Sequence, residues 1–141
     1  MAWEGYFFKS TRTNTPFNNS YIDFEGYDST PNQREDIKAY RDENTRDLYR
    51  ITAAGHKTKI QFKTRAGLNI LQKADIQNFF RSSCTADEWK ERKVQLTYWN
   101  DEDNEYYTSY FYIPDIKFTI HHLDSWNNPV YSALEVHLIE Y

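Results

Sequence analysis

At 141 residues and 17.0 kDa the chain has the length of one domain. With 18% aromatic residues (12 Tyr, 9 Phe and 4 Trp) against 39% hydrophobic residues overall, disorder is excluded and the core is expected to be aromatic. A net charge of -4 is the wrong sign for neutralising phosphates, and a single cysteine allows neither an internal disulfide nor a thiolate zinc site.

No window holds the roughly 20 apolar residues of a membrane span. The start Met1-Ala2-Trp3-Glu4 has neither a basic nor an apolar signal character, so the expectation is cytoplasmic synthesis. In that setting the sequon Asn18-Asn19-Ser20 carries no meaning.

In chain order, the aromatic run 3–9 predicts a first strand, followed by a polar turn to Pro16. Residues 19–27 alternate, and Ile22, Phe24 and Gly26 mark the expected buried parity. From Asp28 to Asp47 the apolar signal fades to Ile37 and Tyr40 among mixed charges, which predicts a long loop at about 28–47. Such a connection inside a compact domain is usually functional or disordered.

Tyr49, Ile51 and Ala53, then Ile60, Phe62, Thr64, Ala66 and Leu68, alternate about Gly55 and predict a hairpin. Ile76, Phe79 and Phe80 at helical spacing predict one amphipathic helix over 71–83, with 83–91 as a linker. Val94, Leu96 and Tyr98, the acidic tract 100–104, and residues 106–113 predict a hairpin with a loop of about five residues. Ile116, Phe118 and Ile120, the turn 124–129, and residues 130–141 complete an expected meander. The fold class is mainly β: an antiparallel β-sandwich or partly open barrel with one flanking helix.

Chemistry finds little footing. Of the four histidines, His56, His121, His122 and His137, the adjacent pair should point to opposite faces of a strand, so at most one of them joins His137. Asp101 to Glu105 lacks the glycine and the downstream bidentate Glu of a calcium loop, and reads as a turn whose side chains cap backbone. Cys84 has only Arg81 nearby to activate it. No nucleophile elbow, phosphate loop or metal-ligand spacing is present, so neither catalysis, cofactor nor metal is expected. The aromatics at 106, 107, 110, 111 and 112 lie on both faces of one strand. They call for cover by the helix or a partner, or else form a stacking platform for glycans or single-stranded nucleic acid.

Four stretches carry a resemblance: Asn-Gln-Arg-Glu-Asp-Ile at 32–37 with Tyr-Arg-Asp-Glu-Asn-Thr-Arg-Asp-Leu at 40–48, Lys-Ile-Gln-Phe-Lys-Thr at 59–64, the short helix, and Gln-Leu-Thr-Tyr-Trp-Asn-Asp-Glu-Asp-Asn at 95–104 running on to Tyr112-Ile113-Pro114-Asp115. Together they resemble small tail proteins of Firmicutes prophages, often encoded beside the tape measure. The resemblance implies the β domain shared by tail-tube subunits and the N-terminal domain of distal tail proteins. It further implies a structural subunit of a siphophage-like tail, forming a homo-oligomeric ring, commonly a hexamer, in the tube or at the distal end.

Its partners would be copies of itself, the tube, tape measure and tail hub proteins, and DNA only in passage, with no membrane. Assembly would occur in the host cytoplasm and the product would reside in the virion tail; a tail terminator or head-tail connector is the alternative within phage. In that family a long excursion between early strands reaches a neighbouring subunit. At the matching place here Arg34, Ile37, Tyr40, Arg41, Asp42 and Arg46 are the expected interface residues, ordering on assembly.

Overall fold

The structure is a computed structural model that describes residues 3–33, 36–41, 43–46, 48–52 and 57–141. Eleven strands are described: β1 (Phe8–Ser10), β2 (Thr15–Pro16), β3 (Ile22–Gln33), β4 (Asp36–Arg41), β5 (Leu48–Thr52), β6 (Lys57–Thr64), β7 (Lys93–Asn100), β8 (Glu105–Tyr112), β9 (Ile120–Leu123), β10 (Pro129–Tyr131) and β11 (Glu135–Glu140). Helix α1 (Ile70–Ser82) and the single turn α2 (Ala86–Lys90) lie between β6 and β7.

Seven strands form one antiparallel open sheet in the order β2-β1-β7-β8-β11-β6-β3. The pairs β4-β5 and β9-β10 stand as small sheets of their own. The protein is therefore mainly β with one long helix, as the alternation predicts.

The large sheet curls until its far strands face each other. Phe8 on β1 packs on Phe62 of β6 with centroids 5.6 Å apart, and Phe7 lies 4.3 Å from Tyr27 of β3, although β7, β8 and β11 separate these strands in the ladder. Aromatic rings supply this closure because each spans a gap that a shorter aliphatic side chain would leave empty.

Inside the curl lie Phe8, Ile60, Phe62, Val94, Leu96 and Phe111, all fully buried. On β7 the buried positions are the even ones, as period-two alternation requires when one face meets a core.

Helix α1 closes one side of this core through Ile76 and Phe80, with Phe79 half-buried against Phe8 and Phe17. Its start is fixed by a reciprocal cap: Asn69 Oδ1 accepts from the Gln72 amide at 2.8 Å, and Gln72 Oε1 accepts from the Asn69 amide at 3.1 Å. The predicted helix over 71–83 is this element.

Several expectations of the strand and loop layout need correction, beginning with the first strand, which covers only Phe8–Ser10. Residues 28–33 continue β3, and β4 pairs antiparallel with β5, so most of the expected loop is strand already within the single chain. Strand β5 pairs with β4 and not with β6, which instead lies between β3 and β11; the expected hairpin turn, near 54–56, falls outside the described residues. The expected linker 83–91 holds α2, capped by Thr85 and Glu88 in the same reciprocal manner as α1.

No strand forms over 113–119. The last three strands are not a meander, since β9 pairs with β10, whose Tyr131 also bridges to Leu68, while β11 enters the large sheet between β8 and β6. That insertion satisfies both edges of β11, whose Val136 and Leu138 are fully buried. A meander would have left one of those edges open.

Candidate interaction surfaces

The expected interface residues fall where side-chain geometry is described for only one of them. Ile37, Tyr40 and Arg41 lie on the β4 backbone, and Arg46 sits exposed in the turn at 43–46 with φ 67°. Arg34 and Asp42 lie outside the described residues.

The outward face of β7 and β8 answers the question of the doubly aromatic strand. Register sets Lys93 opposite Tyr112, Thr97 opposite Thr108 and Trp99 opposite Tyr106, all pointing away from the core. Trp99 and Tyr106 join Trp3 and Tyr6 in an aromatic cluster, and Tyr106 donates its hydroxyl proton to the Tyr6 carbonyl at 2.8 Å. Burial, reinforced by the neighbouring Glu4 carboxylate, pushes the Tyr6 phenol up to about 12.

Tyr110 and Tyr112 remain exposed at the other end of β8, and no helix covers them among the described residues. The Lys93 ammonium sits 4.7 Å from the ring centroids of both Tyr110 and Tyr141. A cation in that place satisfies the ring faces that a stacked sugar or base would need.

The small β9-β10 sheet carries a wholly exposed strand. All four residues of β9 are exposed, Ile120 and Leu123 among them, and Trp126 in the connecting turn is 83% exposed. The turn is tightly built: Asp124 Oδ1 accepts the amide protons of Trp126 at 2.8 Å and Asn128 at 2.9 Å, and Asn127 takes φ 59°.

His121 and His122 do not point apart as expected, since their Nδ1 atoms lie 2.7 Å from each other. The reason is a bulge. Val130 opposes His122 while Tyr131 opposes Ile120, which leaves His121 as the extra residue, and a bulge turns adjacent side chains toward one side. Two imidazoles are two donors only, and no group of three or more metal-ligating side chains occurs among the described residues.

A cleft of about 250 Å³ opens beside the foot of this arm, between α1, α2 and the 113–118 segment. Phe80, Ile113 and Leu134 form its floor, Phe118 one wall, and Arg81 and Arg92 the rim. Arg92 has φ 56°, its Nη1 donates to the Trp89 carbonyl at 2.7 Å, and its guanidinium lies 4.5 Å from the Trp89 ring.

Three other groups singled out from sequence make local contacts. Cys84 is buried, and that burial pushes its thiol up, away from the reactive thiolate. Within the acidic tract, Asn100 Oδ1 caps the amides of Glu102 and Asp103 at 3.0 and 3.1 Å, while Asp103 accepts the Tyr107 hydroxyl proton at 3.0 Å. His137 pairs with Glu135 at 3.2 Å on the surface, and His56 lies outside the described residues.

Thr85 and Glu88, three residues apart, form a capping box that is legible in the sequence. Trp126 had a signal too: a large aromatic in a turn of Asp, Ser and Asn has no core to serve.

A family model matches residues 1–141. The chain belongs to DUF6711, a family of unknown function. No curated protein matches the DUF6711 chain. No described helix is long and apolar enough to cross a membrane.

Proposed function

We propose that the DUF6711 chain is a non-enzymatic structural subunit of a siphophage-like tail, assembling with copies of itself into a ring around the DNA channel, in the tube or at its distal end. The observation that carries this reading is the β9-β10 arm, anchored to Leu68 through Tyr131, which holds Ile120, Leu123 and Trp126 in solvent. Exposed apolar side chains grouped on one hairpin mark a contact surface, because each costs free energy in water that association recovers.

The resemblance to prophage tail proteins supplies the setting, and the net charge of -4 suits a channel past which DNA slides. Tube, tape measure and hub proteins are the neighbours this reading names, with the virion tail as location. Stacking of glycans or single strands is less favoured, since Lys93 already sits on Tyr110 and Tyr141.

Particles induced from a lysogen that encodes the chain, purified on a gradient and separated into heads and tails, provide the test. Mass spectrometry should find the chain in the tail fraction at a constant ratio to the tube protein. Its absence from particles that are otherwise complete would overturn the assignment.

A further inference from the structure

We infer that Trp126 of one copy seats in the cleft between α1, α2 and the 113–118 segment of the next copy. The inference deepens the ring reading and rests on its claim of self-association.

Size argues first. A cleft of about 250 Å³ lies below the roughly 300–1,000 Å³ of small-molecule and cofactor pockets, and suits one large side chain on an apolar floor. Trp126 is such a side chain, 83% exposed and offered on a turn that Asp124 holds by two backbone hydrogen bonds. A rigidly displayed indole loses little conformational freedom on docking.

Charge argues second. The rim carries the guanidinium groups of Arg81 and Arg92 against the one carboxylate of Asp115, whereas the turn that presents the indole carries Asp124. Asp124 uses Oδ1 for its two turn amides, so Oδ2 is left for an arginine of the neighbour. Trp and Arg are also the residue types in which interface energy concentrates.

Arg92 argues third. It occupies the left-handed position just past α2, with φ 56°, where glycine is the unstrained choice. An arginine held there, with its guanidinium over Trp89 beside the cleft, accepts backbone strain for a charge in that place.

Geometry makes the contact intermolecular. Trp126 is 83% exposed and does not line the cleft of its own chain, whose wall residue Phe118 precedes it by eight residues. Tip and cleft are different surfaces, so the interface is heterologous and leads from copy to copy until a rotation closes it into a ring.

The test is light scattering after size exclusion on three full-length proteins: wild type, Trp126→Ala, and Gln77→Trp, which places a bulky group over the cleft from the half-buried face of α1. Each variant is checked for the wild-type circular dichroism spectrum. Wild type should associate with rising concentration, and each variant alone should need at least about tenfold more protein to do so.

Mixed together, the two variants should form a one-to-one pair, because one retains the cleft and the other the tryptophan. Association of Trp126→Ala at wild-type concentrations, or no pair in the mixture, would overturn this contact and leave the ring reading standing. A wild type that stays monomeric throughout would overturn both.

Discussion

Asn100 Nδ2 donates to Asn32 Oδ1 at 3.1 Å and thereby ties β7 to β3, two strands with β8, β11 and β6 between them in the ladder. Asn100 is fully buried, and Asn32 adopts φ 54° at an irregularity of β3, so the bond sits where the curled sheet nearly meets itself. Asn100→Ala should cost about 1–3 kcal/mol, because it breaks the bond to Asn32 and uncaps the turn after β7. Urea denaturation followed by circular dichroism reads that loss.

The neighbouring phenylalanines of α1 should separate clearly. Phe80 is 2% exposed and Phe79 only half-buried, so Phe80→Ala should cost about 3–5 kcal/mol and Phe79→Ala distinctly less. Equal costs in the same denaturation assay would mean that the helix face is wrongly assigned.

Tyr27 packs its ring 4.3 Å from Phe7, and its buried hydroxyl has no hydrogen-bond partner among the described residues. Tyr27→Phe removes a desolvated polar atom and keeps the ring. Thermal denaturation at neutral pH should show unchanged or slightly higher stability, by up to about 1 kcal/mol.

Alkaline pH should unfold the protein early. Burial raises the phenols of Tyr27 and Tyr98 above the ordinary value near 10, and takes Tyr6 up to about 12. Above pH 10 the unfolded chain releases these protons while the folded chain keeps them, so stability is intact below that pH and falls as pH rises through and beyond it. A denaturation series from pH 8 to 12 should show the decline, and Tyr27→Phe should make it shallower.

Much of the fold was legible because its pattern is regular. Val94, Leu96 and Tyr98 alternate with Lys93, Gln95 and Thr97, and the structure places that hairpin as expected. The helix was equally plain from Ile76, Phe79 and Phe80.

Strand β3 was readable only to its irregularity. Between Asp23 and Asp28 it advances five residues while β6 moves from Lys63 to Gln61, which reverses the buried parity and leaves Phe24 64% exposed while Tyr27 turns inward. Strand β4 was hidden because Asp36–Arg41 has little apolar content and gains its conformation by pairing with β5. The cleft could not be read at all, since its walls come from α1, α2, the 113–118 segment and Leu134, segments that only the tertiary fold brings together.

Self-assembly is the central claim, and electron microscopy of the purified full-length chain across a concentration series tests it most directly. The account predicts closed rings of one size, with the arm of each copy reaching the next, and their loss on Trp126→Ala. Monomers at every concentration, or irregular aggregates with no repeating contact, would contradict it.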